Sequence, residues 1–316
     1  MFSNRTELLS NSSTPPIIGL ALGSGASRGW SHIGVIKALI EAGIEPDIVC
    51  GTSVGALIGG AYLAGNLGKL EDWVLGSSRG DVLRFFDIKF SQAGLVNVER
   101  MNGFLHSYVA GEDLRIEDLS KQYVAVSTDL DTGREIWLRE GGLADAIRAS
   151  MAMPGLFHAV RDRGRWLVDG GLVNPVPVTA CRALGADIVI GVNLNSDIVG
   201  YRNKKTTTNT AQESEGVLGS LKQQAREYSS TLFSHGEEKD VAPGIFSAVS
   251  SSISIFQDRI TRNRLAGDPA DVLISPQLGD MGILEFGREA EAMKEGEERV
   301  HYALPEIQRV VGISGR

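Results

Sequence analysis

Apolar runs of strand length alternate with helical patterns in the first part of the chain. Residues 17–22 are continuously apolar, as in a strand that is buried on both faces. Apolar residues then recur at helical spacing over 33–40, and Gly43 stands where a helix C-cap is expected. A second apolar run at 47–50 leads through a tight turn into a helix-like run at 56–63. Two strand–helix units in succession predict an α/β fold whose parallel sheet is covered by helices on both faces.

The same patterns predict further strands and helices as far as residue 193. These are a hairpin of strands at 123–127 and 135–138, a short helix at 143–151, a strand at 165–168, a helix at 176–184 and a strand at 187–193. The last helix and strand are expected to complete another unit of the βα type.

Changes in composition divide the chain into four segments. Residues 1–16 are polar and predict a flexible lead-in, whereas 17–196 carry the regular alternation and predict the main domain. Residues 197–245 form a polar excursion with a weak helical pattern toward its end. Residues 246–316 are expected to pack on the main domain. Their pattern predicts a helix near 246–265, a strand at 272–274 and a charged helix at 287–300.

Composition and charge exclude some classes of partner. The chain of 316 residues is 42% hydrophobic and 22% charged, which is typical of a soluble globular protein. Its formal charge is −8 and no basic cluster exceeds Lys204-Lys205, so no nucleic-acid partner is expected. A membrane contact held by charge is disfavoured for the same reason, which leaves contact through an apolar rim.

The sequence favours a cytoplasmic protein without a bound metal or cofactor. No apolar stretch approaches the ~18 residues of a membrane span, and the N-terminus lacks the apolar segment of a secretory signal. A peripheral contact with the inner membrane stays open. Cys50 and Cys181 lie in apolar elements and are expected to be unpaired core residues, which suits a reducing compartment. Clustered ligand spacing is absent, so no metal is expected. Nothing in the sequence fixes the oligomeric state.

The turn between the second strand and its helix reads Gly51-Thr52-Ser53-Val54-Gly55, a G-x-S-x-G pattern. The two glycines remove the Cβ atoms that would clash in so tight a bend, and the bend lifts the serine hydroxyl out of the sheet. The following helix directs its positive end at Ser53, which favours negative charge there. The pattern indicates a nucleophilic serine, and an ordinary glycine-rich turn is the alternative.

A glycine-rich loop, residues 23–29, follows the first strand. Neighbouring βα turns open at the same edge of a parallel sheet, so this loop is expected to face Ser53. Its backbone N–H groups suit the oxyanion of an acyl-transfer reaction. A dinucleotide phosphate loop is an alternative, but Arg28 stands where its third glycine is required. A plain structural turn is another.

The base that accepts the proton of Ser53 is either a histidine or a carboxylate. The sequence offers five histidines: His32, His106, His158, His235 and His301. None of them stands beside loop-forming residues at the end of a predicted strand, where a catalytic histidine is expected. Asp169 ends a predicted strand before Gly170-Gly171, so it can reach the same sheet edge as Ser53. A carboxylate base benefits from a pKa above the usual ~4, which a desolvated site provides. A plain turn is again the alternative.

These motifs, in this order, resemble the patatin-like phospholipases, and most closely the bacterial RssA-like branch that is related to neuropathy target esterase. The resemblance is strongest in Leu20–Ala38, Ala149–Leu156 and Trp166–Pro177. It covers residues 17–196 firmly and 254–276 more loosely. It implies a three-layer α/β patatin-like fold with a mostly parallel central sheet, and a catalytic domain over 17–196.

The resemblance also implies roles for individual residues. Ser53 would be the nucleophile and Asp169 the general base. The backbone N–H groups of Gly25 and Ala26 would form the oxyanion hole, and Arg28 would help to fix that loop. The residues that shape the motifs are Gly23, Ser24, Gly29, Gly51, Gly55, Gly170 and Gly171.

This chain departs from the family's oxyanion loop, which usually carries three consecutive glycines where Ser24-Gly25-Ala26 stands here. A backbone donor survives either substitution, but a Cβ atom strains any position that requires a positive φ. The departure bears on how well the hole is formed more than on the type of reaction.

The prediction is a serine lipid acyl hydrolase of the phospholipase or lysophospholipase type, which acts on a lipid ester through an acyl-enzyme. The alternatives are a regulatory or binding protein with weak or no hydrolase activity, and acyl transfer to an acceptor other than water. Two apolar segments suit an acyl trough, although residues at such spacing usually belong to the core. They are Leu83, Phe85, Phe86 and Ile88, and Ile253, Ile255, Phe256 and Ile260.

Overall fold

The computed structural model describes most of the chain. The described residues are 15–77, 98–197, 245–282, 285 and 287–312, with only the helical backbone described over 245–250. The predicted trough segment at 83–88, nearly all of the lead-in and most of the polar excursion lie outside these residues. None of the described helices is both long enough and apolar enough to cross a membrane.

One eight-stranded sheet forms the centre of the described structure. Its strands are β1 (Ile18–Leu22), β2 (Ile48–Thr52), β3 (Gln122–Asp129), β4 (Glu135–Leu138), β5 (Val160–Asp162), β6 (Arg165–Asp169), β7 (Ile188–Val192) and β8 (Val272–Ile274). Strand β1 pairs in parallel with β2 and β7, β2 with β3, and β7 with β8. The pairs β3–β4, β3–β6 and β5–β6 are antiparallel. The predicted α/β fold with a mostly parallel sheet is confirmed, as is the hairpin of β3 and β4.

Helices cover both faces of the sheet. Within the described residues they are α1 (Ser31–Glu41), α2 (Val54–Leu63), α3 (Leu67–Gly76), α4 (Val98–Phe104), α5 (Leu143–Ser150), α6 (Val178–Ala183), α7 (Ile245–Gly267) and α8 (Glu289–Val311). A short 3₁₀ helix at Ala26–Trp30 precedes α1, and a π-helical turn at Leu105–Val109 follows α4. The sequence patterns predicted neither α3 nor α4.

The C-terminal helix is longer than its pattern predicted. The prediction ended at residue 300, whereas α8 continues through Pro305 to Val311. Val300, Ile307 and Val311 are all buried at helical spacing, so the core holds the second half of the helix in place across the proline.

Side chains along the strands alternate between two cores. Leu20 and Leu22 of β1 join the core formed with α1, α2 and α8, while Ala21 joins the core formed with α6. Cys50 and Cys181 are buried together in the second core, where burial raises the pKa of the Cys50 thiol well above its usual value. The result is the three-layer arrangement of helices, sheet and helices.

Strand β6 runs in an unexpected direction. Helix α6 and β7 follow each other as predicted, but β6 before them is antiparallel to β3 and therefore does not begin a parallel unit. The expectation of another βα-type unit is wrong in this respect, because an apolar run in a sequence carries no information about strand direction.

Strands β2 and β6 lie end to end on the same side of β3. A residue in a strand has one neighbouring strand on each side. Val126 pairs with Thr52 of β2 and also with β4, so β2 and β4 flank β3 on opposite sides. Ser127, the next residue, pairs with Asp169 of β6 and also with β4. Strand β6 therefore continues the line of β2 beyond its end and brings Asp169 toward the residue that follows Thr52.

Helices α1 and α8 cross at a pair of glycines. A Cβ atom on Gly34 would lie 1.9 Å from the carbonyl oxygen of Met293, and one on Gly296 would lie 2.1 Å from that of Ser31. Backbone atoms cannot rotate away as a side chain can, so the crossing requires glycine at both positions.

We expect Gly34→Ala to lower the free energy of unfolding by at least about 2 kcal/mol, because the two helices must move apart. The matched control is Gly68→Ala in α3, where the position is exposed and the added Cβ would meet no atom within 4 Å. This control should raise the free energy of unfolding by about 0.5–1 kcal/mol. Urea denaturation measures both, and equal effects would contradict the close crossing.

Candidate active site

Ser53 occupies a strained turn between β2 and α2. Its backbone φ of 57° and ψ of −121° lie in a region that residues with a side chain rarely adopt. A Cβ atom on Gly55 would lie 2.1 Å from the carbonyl oxygen of Leu22, and one on Gly51 would lie 2.4 Å from the backbone nitrogen of Ala56. Both glycines are therefore required for the bend, as the sequence pattern indicated.

The end of α5 and the residues just after it form hydrogen bonds to the backbone of both Ser53 and Asp169. The N–H of Ser53 donates to Ser150 Oγ at 2.8 Å, and that hydroxyl donates to the carbonyl oxygen of Val126 at 2.5 Å. Two residues further on, the carbonyl oxygen of Ala152 accepts a hydrogen bond from the N–H of Asp169 at 2.9 Å. One short segment thus fixes the positions of Ser53 and Asp169 relative to each other.

The side chains of Ser53 and Asp169 meet directly. Ser53 Oγ donates to Asp169 Oδ2 at 2.6 Å, and the N–H of Gly171 donates to Asp169 Oδ1 at 2.7 Å. Ser53 is 7% exposed and Asp169 1%. Burial raises the pKa of Asp169 to about 6, and the two hydrogen bonds oppose that rise. A carboxylate in this state is ionised at neutral pH and is a stronger base than an exposed aspartate.

The glycine-rich loop packs against the turn that carries Ser53. A Cβ atom on Gly29 would lie 2.1 Å from a methyl carbon of Val54, which follows Ser53 in the chain. At Gly25 a Cβ atom would lie 2.7 Å from the side chain of Leu194. The N–H groups of Gly25 and Ala26 stand at the start of the 3₁₀ helix, where N–H groups have no partner within the helix.

The family's usual glycines are absent at two positions of this loop, and the consequences differ. Ala26 has a φ of 51°, so its Cβ adds strain where a glycine would have none. At Ser24 the backbone N–H donates to the carbonyl oxygen of Pro175, while the buried hydroxyl has no hydrogen-bond partner among the described residues.

Two buried basic side chains, Arg28 and His32, form hydrogen bonds that hold the glycine-rich loop in place. Arg28 Nε donates to the carbonyl oxygen of Gly25 at 3.2 Å, and burial lowers the pKa of Arg28 to about 10 although Asp197 opposes the shift. His32 Nε2 lies 2.8 Å from the carbonyl oxygen of Gly23. Burial lowers the pKa of His32 to about 4, so the ring is neutral at pH 7 and Nε2 carries the donated hydrogen.

No histidine joins the pair of side chains within the described residues. The buried His32 is bonded to the loop, and His301 is exposed on α8. His158 is exposed and His106 is half-buried, whereas His235 lies outside the described residues.

The hydrogen bonds of the Asp169 carboxylate come from Ser53 and Gly171. This geometry favours a Ser–Asp pair over a Ser–Asp–His triad.

The described part of the structure contains no candidate metal site. Over the part of the chain that the structure describes, no three histidine, cysteine or carboxylate side chains come close enough together to hold a metal ion.

The trough segment on α7 is not part of the core. Ile255 is 48% exposed and Phe256 63%, while Ile253 and Ile260 are half-buried. Of the two interpretations that the sequence left open, the core is excluded for Ile255 and Phe256, and a role in an acyl trough stays a prediction. The helix instead buries polar residues, which are Ser254, Gln257, Asp258 and Thr261.

Several polar residues around the site were not foreseen from the sequence. Asn195 Nδ2 donates to the carbonyl oxygen of Ser24, and Ser150 supports the backbone of Ser53. Asn195 stands two residues after the end of a predicted strand, so the rule that polar residues at the ends of parallel strands share one edge would have found it. Gln257 carries no such signal, because its helix was interpreted from its apolar positions.

Comparison with known proteins gives one consistent result. A family model described as patatin-like phospholipase matches residues 20–182. The uncharacterized NTE family protein Rv1063c of Mycobacterium tuberculosis is 31% identical over an alignment that covers 92% of each chain. Lysophospholipase nte1 of Emericella nidulans is 33% identical over 57% of this chain and 12% of its own length. Human patatin-like phospholipase domain-containing protein 6 is 34% identical over 57% of this chain and 13% of its own length.

The raised pKa of Asp169 predicts a pH-dependent cost to stability. Between the unfolded pKa near 3.9 and the folded pKa of about 6, the folded state keeps a proton that the unfolded state has lost. The contribution of this group to stability therefore falls as the pH rises through this range. Asp169→Asn should raise the free energy of unfolding at pH 7.5 by up to about 3 kcal/mol, and the gain should shrink steadily below pH 6.

Urea denaturation between pH 4.5 and 7.5 measures this gain. The matched control is Asp113→Asn, an exposed aspartate for which no such gain is expected. A difference between wild type and Asp169→Asn that is constant with pH would contradict the shifted pKa.

Proposed function

Because this chain belongs to the patatin-like phospholipase family, we propose that it hydrolyses carboxylic esters of phospholipids or lysophospholipids. Family membership supports a lipid hydrolase in general, and the name of the fungal relative, a lysophospholipase, points to the narrower class. The observation that carries the proposal is the buried 2.6 Å hydrogen bond from Ser53 Oγ to Asp169 Oδ2.

The proposed reaction begins with the transfer of one proton. Asp169 Oδ2 takes the proton of Ser53 Oγ while Oγ forms a bond to the ester carbonyl carbon. The carbonyl electron pair moves onto oxygen, and the N–H groups of Gly25 and Ala26 stabilise the oxyanion. The partial positive charge at the start of α2 acts in the same direction, since Ser53 is the residue immediately before this helix.

Collapse of the oxyanion breaks the ester bond and releases the lipid alcohol, which takes the proton from Asp169. The acyl group is then bound to Ser53 Oγ. A water molecule gives a proton to Asp169 and attacks the acyl carbon, and the second collapse returns that proton to Ser53 Oγ with release of the fatty acid. One carboxylate therefore serves both half-reactions, and its pKa of about 6 suits both the gain and the loss of a proton near neutral pH.

Two alternative functions remain for a protein with this fold, which are binding of a partner with little turnover and acyl transfer to an acceptor other than water. The strained φ of Ala26 and the replaced glycine at Ser24 would weaken the oxyanion hole, which favours a binding protein with little turnover. Acyl transfer to an acceptor other than water uses every residue named for hydrolysis. A serine-reactive fluorophosphonate probe separates the first alternative, since a binding protein with no activated serine is not labelled at Ser53.

We expect Ser53→Ala and Asp169→Asn each to lower kcat/KM for p-nitrophenyl butyrate and for a lysophospholipid by at least about 10³-fold. His301→Ala, which changes an exposed histidine, is the control and should retain wild-type activity. The wild-type kcat/KM should rise about tenfold per pH unit up to about pH 6 and then level off, because Asp169 must be ionised. Wild-type turnover by Ser53→Ala would refute the mechanism.

A lipid surface is the partner that we propose for the outer face of α7. Ile255 and Phe256 project from this face, and Arg259 is exposed one turn further along. The opposite face of α7 touches the turn that follows Asp169, so the outer face lies about one helix diameter, ~10 Å, from the site. Apolar side chains beside a basic residue suit contact with anionic headgroups and the acyl chains below them.

We predict that the double substitution Ile255→Ser/Phe256→Ser weakens binding to phosphatidylglycerol vesicles by at least about tenfold, because each side chain loses apolar area that lipid would cover. Vesicle co-sedimentation measures this binding. Hydrolysis of soluble p-nitrophenyl butyrate should be unchanged. The control is Tyr302→Ser, which removes a 76% exposed aromatic side chain from α8. Equal vesicle binding by wild type and the double variant would exclude this face.

A further inference from the structure

Helix α7 places a buried amide beside the catalytic loops. Gln257 is 5% exposed and lies on the polar, inward face of the helix. Its side chain belongs to neither the nucleophile turn nor the glycine-rich loop, and the reaction proposed above does not use it.

The orientation of this amide follows from its hydrogen bonds. Asn195 Nδ2 donates to the backbone carbonyl oxygen of Ser24 at 3.2 Å and to Gln257 Oε1 at 3.4 Å. The carbonyl of Ser24 can only accept, which fixes the Asn195 amide with its NH₂ group on that side. The Gln257 atom that faces Asn195 must therefore be the oxygen. Gln257 Nε2, a donor, points the other way.

The donor end of Gln257 lies beside the turn that holds the base. A Cβ atom built on Gly171 would be 2.4 Å from Gln257 Nε2, 2.9 Å from Asp169 Oδ1 and 3.2 Å from Ser24 Oγ. Three polar atoms from three separate segments thus converge on one point next to Gly171. One of them, Ser24 Oγ, is buried and has no hydrogen-bond partner in the described part of the structure.

We propose that Gln257 is a positioning residue that directs a partial positive charge at Asp169 and, through Asn195, ties the base to the oxyanion loop. This inference rests on the proposed function. Asp169 Oδ1 already accepts the N–H of Gly171, and the amide of Gln257 adds a second donor dipole on the same side of the carboxylate. The carboxylate is thereby stabilised in its ionised form without a cation bonded to it among the described residues.

Among the described residues, neutral dipoles and not charged side chains stabilise the ionised carboxylate of Asp169. On the elements packed near Asp169, Arg259 is exposed on the outer face of α7. Other charged side chains on these elements form pairs, which are Asp258 with Arg262, Glu135 with Arg264, Arg148 with Asp145, and Asp129 with Arg165 at 4.0 Å. Burial raises the pKa of Asp169, and the hydrogen bonds from Ser53 and Gly171 lower it. Arg28 is buried in the neighbouring loop, and its electrostatic partner is Asp197.

The experiment changes the charge that Gln257 presents to Asp169 in both directions. Gln257→Met keeps the shape but removes the donor, so the acid midpoint of the kcat/KM profile with p-nitrophenyl butyrate should rise by at least about half a pH unit. Gln257→Lys places a cation near the carboxylate, so the midpoint should fall by about one unit or more. Gln122→Met and Gln122→Lys, at an exposed position at the start of β3, are the controls and should leave the midpoint in place.

Shifts of opposite sign support the inference, because a merely structural disturbance has no reason to follow the sign of the charge. Midpoints within about 0.2 unit of wild type in both variants, even with reduced rates at every pH, would overturn it. The same midpoint can be obtained without turnover from urea unfolding against pH, by comparing each variant with and without Asp169→Asn. Wild-type protein that fails to react with fluorophosphonate at Ser53 would refute the proposed function, whereas the unfolding series would still decide the role of Gln257.

Discussion

The hydrogen bond between Ser53 and Asp169 is the interaction on which the arrangement of this site depends. It exists because β6 approaches β2 head-on along one side of β3, which brings the ends of the two strands together. The residues around this hydrogen bond hold the ends of the two strands in position. Gly51 and Gly55 permit the bend at Ser53, and the last residue of α5 together with the segment after it bonds to the backbones of Ser53 and Asp169. A carboxylate placed in this way loses its hydration, and the raised pKa follows from that loss.

The surroundings of the carboxylate limit the cost of its burial with neutral donors. The hydroxyl of Ser53 and the N–H of Gly171 each bond to one oxygen. A buried cation in their place would lower the pKa and make the carboxylate too weak a base for the proposed role of proton acceptor. Neutral dipoles stabilise the anion by a smaller amount, which leaves the group able to gain and lose a proton near pH 7.

The sequence predicted most of the sheet and the residues of the candidate site, for reasons that are local. Apolar runs marked β1, β2, β3 and β7, and the glycine spacing marked the turn at Ser53. Strand direction was not predictable, because the run at 165–168 has the same composition in either orientation. The burial of Gln257 was missed, and the choice between trough and core stayed open for Phe256, for a related reason: helical spacing identifies a face, but only tertiary contacts decide which face turns inward. The roles of individual site residues stay predictions.

The crossing of α1 and α8 and the position of β7 bear on how this protein can be divided. The family model ends at residue 182, yet β1 pairs on one side with β7, which begins at Ile188. A fragment cut at the end of the family match would lack β7. The central strand β1 would then become an edge strand with unpaired hydrogen-bonding groups, which invites aggregation. The cut would also remove the partner of α1 at Gly34. A fragment that keeps these contacts is therefore larger than the region matched by the family model, and its boundary should lie past the C-terminal helix.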